Sequence, residues 1–185
     1  MPIPEFDTRG LLPDGVYSAS ASEMHERCVA DFPGSTRRPT VIASFIRYQE
    51  AVAALGVNAT QWVDGSFVDR TRLDPDDVDV VNFCEQANLN SLSPAAQAQI
   101  EPLLDGDVKT KPQYDTHSFL IVRFPPGHPF ESSFEANRKY WRDAWSKAQD
   151  YSGFTKKLAP WRGKKGFLQM KVGDAKLCPD ISDAP

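Results

Sequence analysis

Asp77 and Asp79 sit in the stretch QWVDGSFVDRTRLDPDDVDVVNF, from Gln61 to Phe83, and are the residues whose type and spacing best suit a reaction centre. Side chains two apart on a strand share a face, so both carboxylates would project together while Val78 and Val80 turn into a core. Their Cα atoms would lie roughly 6.5 Å apart, within reach of one hard cation, Mg²⁺ or Mn²⁺. Such ions are commonly held by one or two carboxylates plus substrate phosphates. Upstream, an apolar strand breaks at Gly65-Ser66. Backbone N–H groups at a tight turn leading into a helix accept phosphate oxygens, glycine permits close approach, and the Ser66 hydroxyl adds a polar group. Arg70 and Arg72 lie between this turn and the acidic strand, as equal candidates for neutralising phosphate charge or as plain loop arginines. Each piece alone is ordinary, since Gly-Ser marks many turns and Asp-Pro-Asp-Asp reads as a solvated turn. Together they describe a metal-and-phosphate site.

The elements that must position these residues read as a mixture of helices and strands. Met1 to Tyr17 is proline- and glycine-rich and is expected as an extended arm on the surface or over the site. Ser20 and Glu23 form a capping-box signature for a helix over Ala21 to Phe32. Pro33-Gly34 stops it, and Ser35 or Thr36 caps a second helix whose apolar face runs from Val41 to Leu55 and ends at Gly56. Arg37 and Arg38 stand at its start, where the helix dipole gives no reason for positive charge. They read as a solvated or ion-paired couple, with phosphate contact as the functional alternative.

Strands are expected at Ala59 to Val63 and Val78 to Phe83, joined by the Gly-Ser turn and a short helical stretch around Phe67 to Arg70. A carboxylate at the start of a buried strand is costly unless paired or metal-bound, which favours function for Asp79. Ala95 to Leu104 reads as a helix and Asp105 to Pro112 as a loop. Asp115 to Phe124 reads as a third strand that pairs with the second. By strand parity His117 shares the face of Asp115, where it reads first as a hydrogen-bonded strand histidine without chemical role. A helix over Phe134 to Tyr151 carries an aromatic face of Tyr140, Trp141 and Trp145, which is core patterning. Gly153 to Gly163 reads as a loop, Gly166 to Val172 as a last strand, and the residues after Gly173 as a frayed tail.

The chain of 185 residues, 41% hydrophobic and 25% charged, suits a single domain over residues 1–185. No apolar run matches a membrane span and no secretory signal is visible, so the cytoplasm is expected. Cys28, Cys84 and Cys178 lack zinc-site spacing and read as reduced thiols. Net charge is −4, yet the basic residues from Arg138 to Lys176 face only Asp143, Asp150 and Asp174. That imbalance suits a phosphate-bearing partner such as RNA, although charge runs are more often solvated faces.

A strand ending in Gly-Ser, ten intervening residues and then Asp-x-Asp on the next strand resembles the nucleotidyltransferase superfamily of polymerase-beta-like and minimal nucleotidyltransferases. The likeness extends to a small bacterial family of nucleotidyltransferase-like proteins and covers nearly the whole chain. Its LP-x-G segment is matched by Leu12 to Gly15, its STRR start by Ser35 to Arg38, and its GSFV by Gly65 to Val68. Pro75 to Asp79 match P-x-D-x-D, Tyr140 to Arg142 match YWR, and Lys165-Gly166 match the KG before the last strand. The resemblance implies an α+β fold, a small mixed sheet flanked by helices, and a third carboxylate on the strand after Asp-x-Asp. Asp115 is the only acid available there. It further implies that Asp77, Asp79 and Asp115 bind Mg²⁺ or Mn²⁺, and that Gly65 and Ser66 with Arg70 or Arg72 hold a nucleoside triphosphate, ATP first. A nucleoside monophosphate would pass to a protein hydroxyl or an RNA 3′ end, tRNA included. Relatives of this kind occur in toxin–antitoxin and phage-conflict systems, which implies a cognate partner protein. The alternative is a catalytically silent binding module of the same fold. A metal-dependent phosphatase or nuclease is less apt, because a hydrolase has less use for a triphosphate cradle.

Overall fold

Apolar alternation builds a sheet with two unlike faces. The computed structural model describes residues 3–105, 107–149 and 161–172. Strands run at Val16–Ser18 (β1), Ala59–Asp64 (β2), Val78–Glu85 (β3), Thr116–Arg123 (β4), Lys147–Gln149 (β5), Trp161–Lys164 (β6) and Phe167–Lys171 (β7). A five-stranded mixed sheet has the order β1-β7-β2-β3-β4, and β5 pairs with β6 in a separate ribbon. β2 is antiparallel to both β7 and β3, while β1 is parallel to β7 and β4 to β3. The helices are Ala21–His25 (α1), Arg38–Ala54 (α2), Gln86–Ser91 (α3), Pro94–Gln97 (α4), Ile100–Leu104 (α5), Asp107–Tyr114 (α6) and Ser133–Trp145 (α7). The class is α+β. Among the described residues no helix is long and apolar enough to cross a membrane.

One face of the sheet packs Val63, Val78, Val80 and Leu168 against Val41, Ile42, Phe45 and Val52 of α2. The other gathers Trp62, Val81, Phe83 and Phe167 with Phe134, Trp141 and Trp145 of α7. Trp62 stands 4.7 Å from the Phe83 ring and 4.9 Å from the Phe167 ring. Each such side chain withdrawn from water contributes about 2–3 kcal/mol before entropy is counted.

A buried chain of amides fixes the register on the α2 face. Gln49 Nε2 donates to Gln61 Oε1 at 2.7 Å, Gln61 Nε2 to Asn82 Oδ1 at 2.8 Å, and Asn82 Nδ2 to Tyr48 Oη at 2.9 Å. Gln61 and Asn82 are direct partners across β2 and β3. A slip of one residue would leave these amides unpaired and move Asp64 and Asp79 to the opposite face. Core polarity therefore holds the acids in place.

Several expectations are corrected. The segment up to Tyr17 is not simply a surface arm, because Ile3, Leu11 and Leu12 are buried and Val16–Ser18 joins the sheet. The Ser20–Glu23 capping box is present, but the helix passes into a π-helical turn at Glu26–Ala30. The expected loop after Leu104 contains α6, where the buried Thr110 hydroxyl donates to Pro102 O at 3.1 Å; packing overrides weak local propensity. α7 stops at Trp145 instead of reaching Tyr151, and Tyr140 is exposed. The expected tail after Gly173 and much of the loop from Gly153 to Gly163 lie outside the described residues.

Candidate active site

Strand directions bring the C-terminal end of β2 beside the N-terminal ends of β3 and β4. Asp64 is opposite Asp79, and Asp79 is opposite His117, so all three share the α7 face. His117 Nδ1 lies 3.1 Å from Asp79 Oδ1, and in the tautomer that carries its proton there it donates to the carboxylate. The side chains of His117 and Asp79 are 28% and 31% exposed, enough to meet a solute. An ionised carboxylate has about four acceptor positions, so this bond leaves Asp79 with further capacity.

Gly65 follows Asp64 with φ 91°, a conformation side chains disfavour. A Cβ there would run into Asp79 Oδ2 and stand 3.2 Å from Asp79 Cγ. The turn and the acid are thus in contact, and only glycine permits it. Ser66–Val68 forms the short 3₁₀ turn that follows, with Val68 N donating to Gly65 O at 3.1 Å.

Asp77 is half-buried, two residues before Asp79 and just ahead of β3. Asp115 departs from its expected place. It precedes β4 in the left-handed region, φ 47°, with its carbonyl accepting from Val78 N at 2.9 Å. Its carboxylate accepts from Arg37 Nη2 at 2.7 Å, and Arg37 also donates to Asp76 O at 3.2 Å. Strand parity therefore does not apply to Asp115. Asp79, not Asp115, is the acid that shares its face with His117, and the structure gives His117 a partner there. Among the described residues no three of His, Cys, Asp and Glu gather closely enough to hold a metal ion. Asp77 and Asp79 carry oxygen donors of the hard type that Mg²⁺ takes together with substrate phosphate.

The arginines divide by role. Arg38 is fully buried and donates to the carbonyls of Cys28, Ser66, Phe67, Asp69, Arg72 and Leu73, so it holds the loop after Gly65 in shape. It is neither solvated nor ion-paired with Arg37's acid. Burial lowers its pKa, partly opposed by neighbouring acids. Asp74 explains how α2 tolerates arginines at its start: Asp74 Oδ1 accepts from Thr36 N and Arg37 N at 3.0 Å and from Ser35 Oγ at 2.7 Å. Arg70 is committed to the arm side, with its N–H on Gly10 O at 2.7 Å, its guanidinium over the Phe6 and Phe32 rings, and Asp31 at 3.8 Å. Arg72 pairs with Asp76 at 3.0 Å.

Sequence reasoning missed a buried ion pair. Lys165 Nζ donates to Asp64 Oδ1 at 2.6 Å. Burial pushes the Asp64 carboxyl up to about 7, although the Lys165 ammonium acts to lower it. Burial likewise acts to lower Lys165, but Asp64, Asp69 and Asp79 outweigh it and raise the lysine above its ordinary range. The short contact and the raised lysine keep the Lys165 ammonium charged at neutral pH. Asp69, also buried, accepts from Thr71 N at 2.9 Å and is pushed up by burial against Lys165, Thr71 and Arg38. The available signals were an acid directly before Gly65 at the end of an apolar strand and the Lys165-Gly166 pair. Burial pushes the Cys28 and Cys84 thiols up to about 12, so both are protonated.

Comparison with curated proteins finds no match, and comparison with solved structures finds none. The model of a family of unknown function, DUF6932, matches residues 4–171, which span every residue of the site just described. The chain therefore belongs to DUF6932.

Proposed function

We propose that this protein is a metal-dependent nucleotidyltransferase of the cytoplasm that moves a nucleoside monophosphate from a triphosphate, ATP first, to a hydroxyl acceptor. The observation that carries the reading is the contact of the left-handed Gly65 turn with the part-exposed Asp79 carboxylate; backbone N–H groups at such turns are suited to phosphate. Asp77 and Asp79 would hold Mg²⁺ or Mn²⁺. The cation would offset phosphate charge and ease ionisation of the acceptor hydroxyl. The Gly65 and Ser66 N–H groups would receive the triphosphate, and His117 would hold Asp79 in orientation. The acceptor oxygen forms a bond to the α phosphorus, the bond to the bridging oxygen breaks, pyrophosphate leaves, and the hydroxyl proton passes to solvent. Protein side chains have little else to do beyond positioning.

A protein hydroxyl or an RNA 3′ end, tRNA included, would be the acceptor, with a cognate partner protein as in toxin–antitoxin pairs. In the basic C-terminal region Arg138, Lys139 and Lys164 are exposed, each beside a carboxylate, and would be the RNA contacts, whereas Lys165 is buried. Purified protein incubated with Mg²⁺, α-labelled triphosphates and tRNA should place label on macromolecule, and Asp79→Ala should abolish it. Transfer persisting in Asp79→Ala would defeat the assignment. A second reading, a silent nucleotide-binding module, is favoured by the engagement of Asp115 with Arg37. Binding of ATP without any transfer would select it.

A further inference from the structure

Lys165 is placed by architecture and not by reach. Its backbone N–H donates to Ser146 O at 2.9 Å, and the next residue, Gly166, donates to Leu12 O at 2.9 Å. A Cβ on Gly166 would run into Pro13 O and stand 2.9 Å from Gly15 O, so the segment Leu12 to Gly15 and the turn at Lys165 close on each other. The ammonium that results is 10% exposed and its partner Asp64 4%. Asp69 and Asp79 are close enough to act on its charge. A buried ion pair is seldom the cheapest way to stabilise a fold, because an apolar pair of similar volume avoids the desolvation cost. A fixed positive charge among three carboxylates has a clearer use where a triphosphate must approach them. Two-metal sites meet the same electrostatic need with a second cation about 3.5–4 Å from the first.

We propose that Lys165 is a resident cation of the nucleotide site, held by Asp64, so that the protein takes one divalent cation with its nucleotide and not two. The inference rests on the nucleotidyl-transfer reading. Lys165 acts on the substrate's charge through Asp64 and Asp79, and is a positioning residue. With the ammonium removed, Asp64, which faces Asp79 across β2 and β3, is released to hold a second metal with substrate phosphate.

The test is Mn²⁺ titration of the full chain, followed by electron paramagnetic resonance, in the presence of the α,β-methylene analogue of ATP, which resists transfer. Wild type and Lys165→Arg are expected to bind one ion per chain, and Lys165→Ala two. Two ions on wild type, or one on a folded Lys165→Ala, would overturn the proposal while leaving nucleotidyl transfer standing. Should Lys165→Ala not fold, Lys165→Gln decides, since its amide still donates to Asp64 without charge. Analogue affinity weakened about tenfold or more at an unchanged melting temperature supports a resident cation, and unchanged affinity overturns it. Wild type that binds neither Mn²⁺ nor analogue overturns this proposal and the transfer reading together.

Discussion

Arg38 and Lys165 are both buried cations beside the Gly65 loop, but they meet opposite kinds of partner. The Arg38 guanidinium spreads over six backbone carbonyls from Cys28 to Leu73. Lys165 meets a carboxylate and stands among two more. Burial lowers the pKa of Arg38 although Asp69 and Asp74 oppose it, while the carboxylates about Lys165 outweigh burial and raise it. One cation gives the loop its shape and the other balances the charge of the site. The two roles can be separated by substitution.

The largest effect should come from Arg38. Arg38→Met strips six carbonyls of their donor and is expected to cost about 4 kcal/mol in urea unfolding. Arg38→Lys should recover little, because an ammonium cannot reproduce the planar fork. Wild-type stability in Arg38→Lys would break the contrast. Lys165→Met should cost about 3 kcal/mol at neutral pH by leaving Asp64 unpaired, and Asp64→Asn with Lys165→Met should regain part of it. A lysine whose pKa is raised on folding adds stability that is present below its ordinary value of 10.5 and lost as pH climbs through the raised value. The stability advantage of wild type over Lys165→Met should therefore shrink in strong alkali, and shrink again as pH falls below about 7, where Asp64 takes up a proton.

Gly65→Ala sharpens the comparison from the side of the turn. Left-handed backbone and a Cβ pressed on Asp79 should together cost about 2 kcal/mol and abolish metal-dependent transfer. The smallest effect belongs to a carboxylate held chiefly by neutral donors. The Ser20 N–H and hydroxyl lower the Glu23 pKa, so its contribution is present above the ordinary value of 4.5 and lost as pH falls through the lowered one. Glu23→Gln should flatten the acid limb of the stability curve without moving the alkaline one. A Glu23→Gln curve that matches wild type in acid would dismiss this contribution.

What was legible in the sequence was what local periodicity encodes. β2, β3 and the pairing of β3 with β4 follow from apolar runs, and the Ser20 capping box from a spacing of three. Asp79 and Gly65 were readable because a turn and a strand lie close in the chain. Asp64 and Lys165 are 101 residues apart, and neither has a local pattern that names the other. Arg38 looked like one of a surface pair because its partners are carbonyls, which have no residue type to recognise. Asp115 looked like a strand residue, whereas its left-handed backbone and its bond to Arg37 depend on tertiary contact.

Asp77 and Asp79, beside the Gly65 turn, are proposed to hold a cation and a nucleotide. A crystal of the protein soaked with Mn²⁺ and the α,β-methylene analogue of ATP tests it most directly. The expected result is an anomalous peak bonded to both carboxylates, with the triphosphate on the Gly65 and Ser66 N–H groups. A nucleotide bound elsewhere, or a metal that leaves Asp79 on His117 alone, would contradict it.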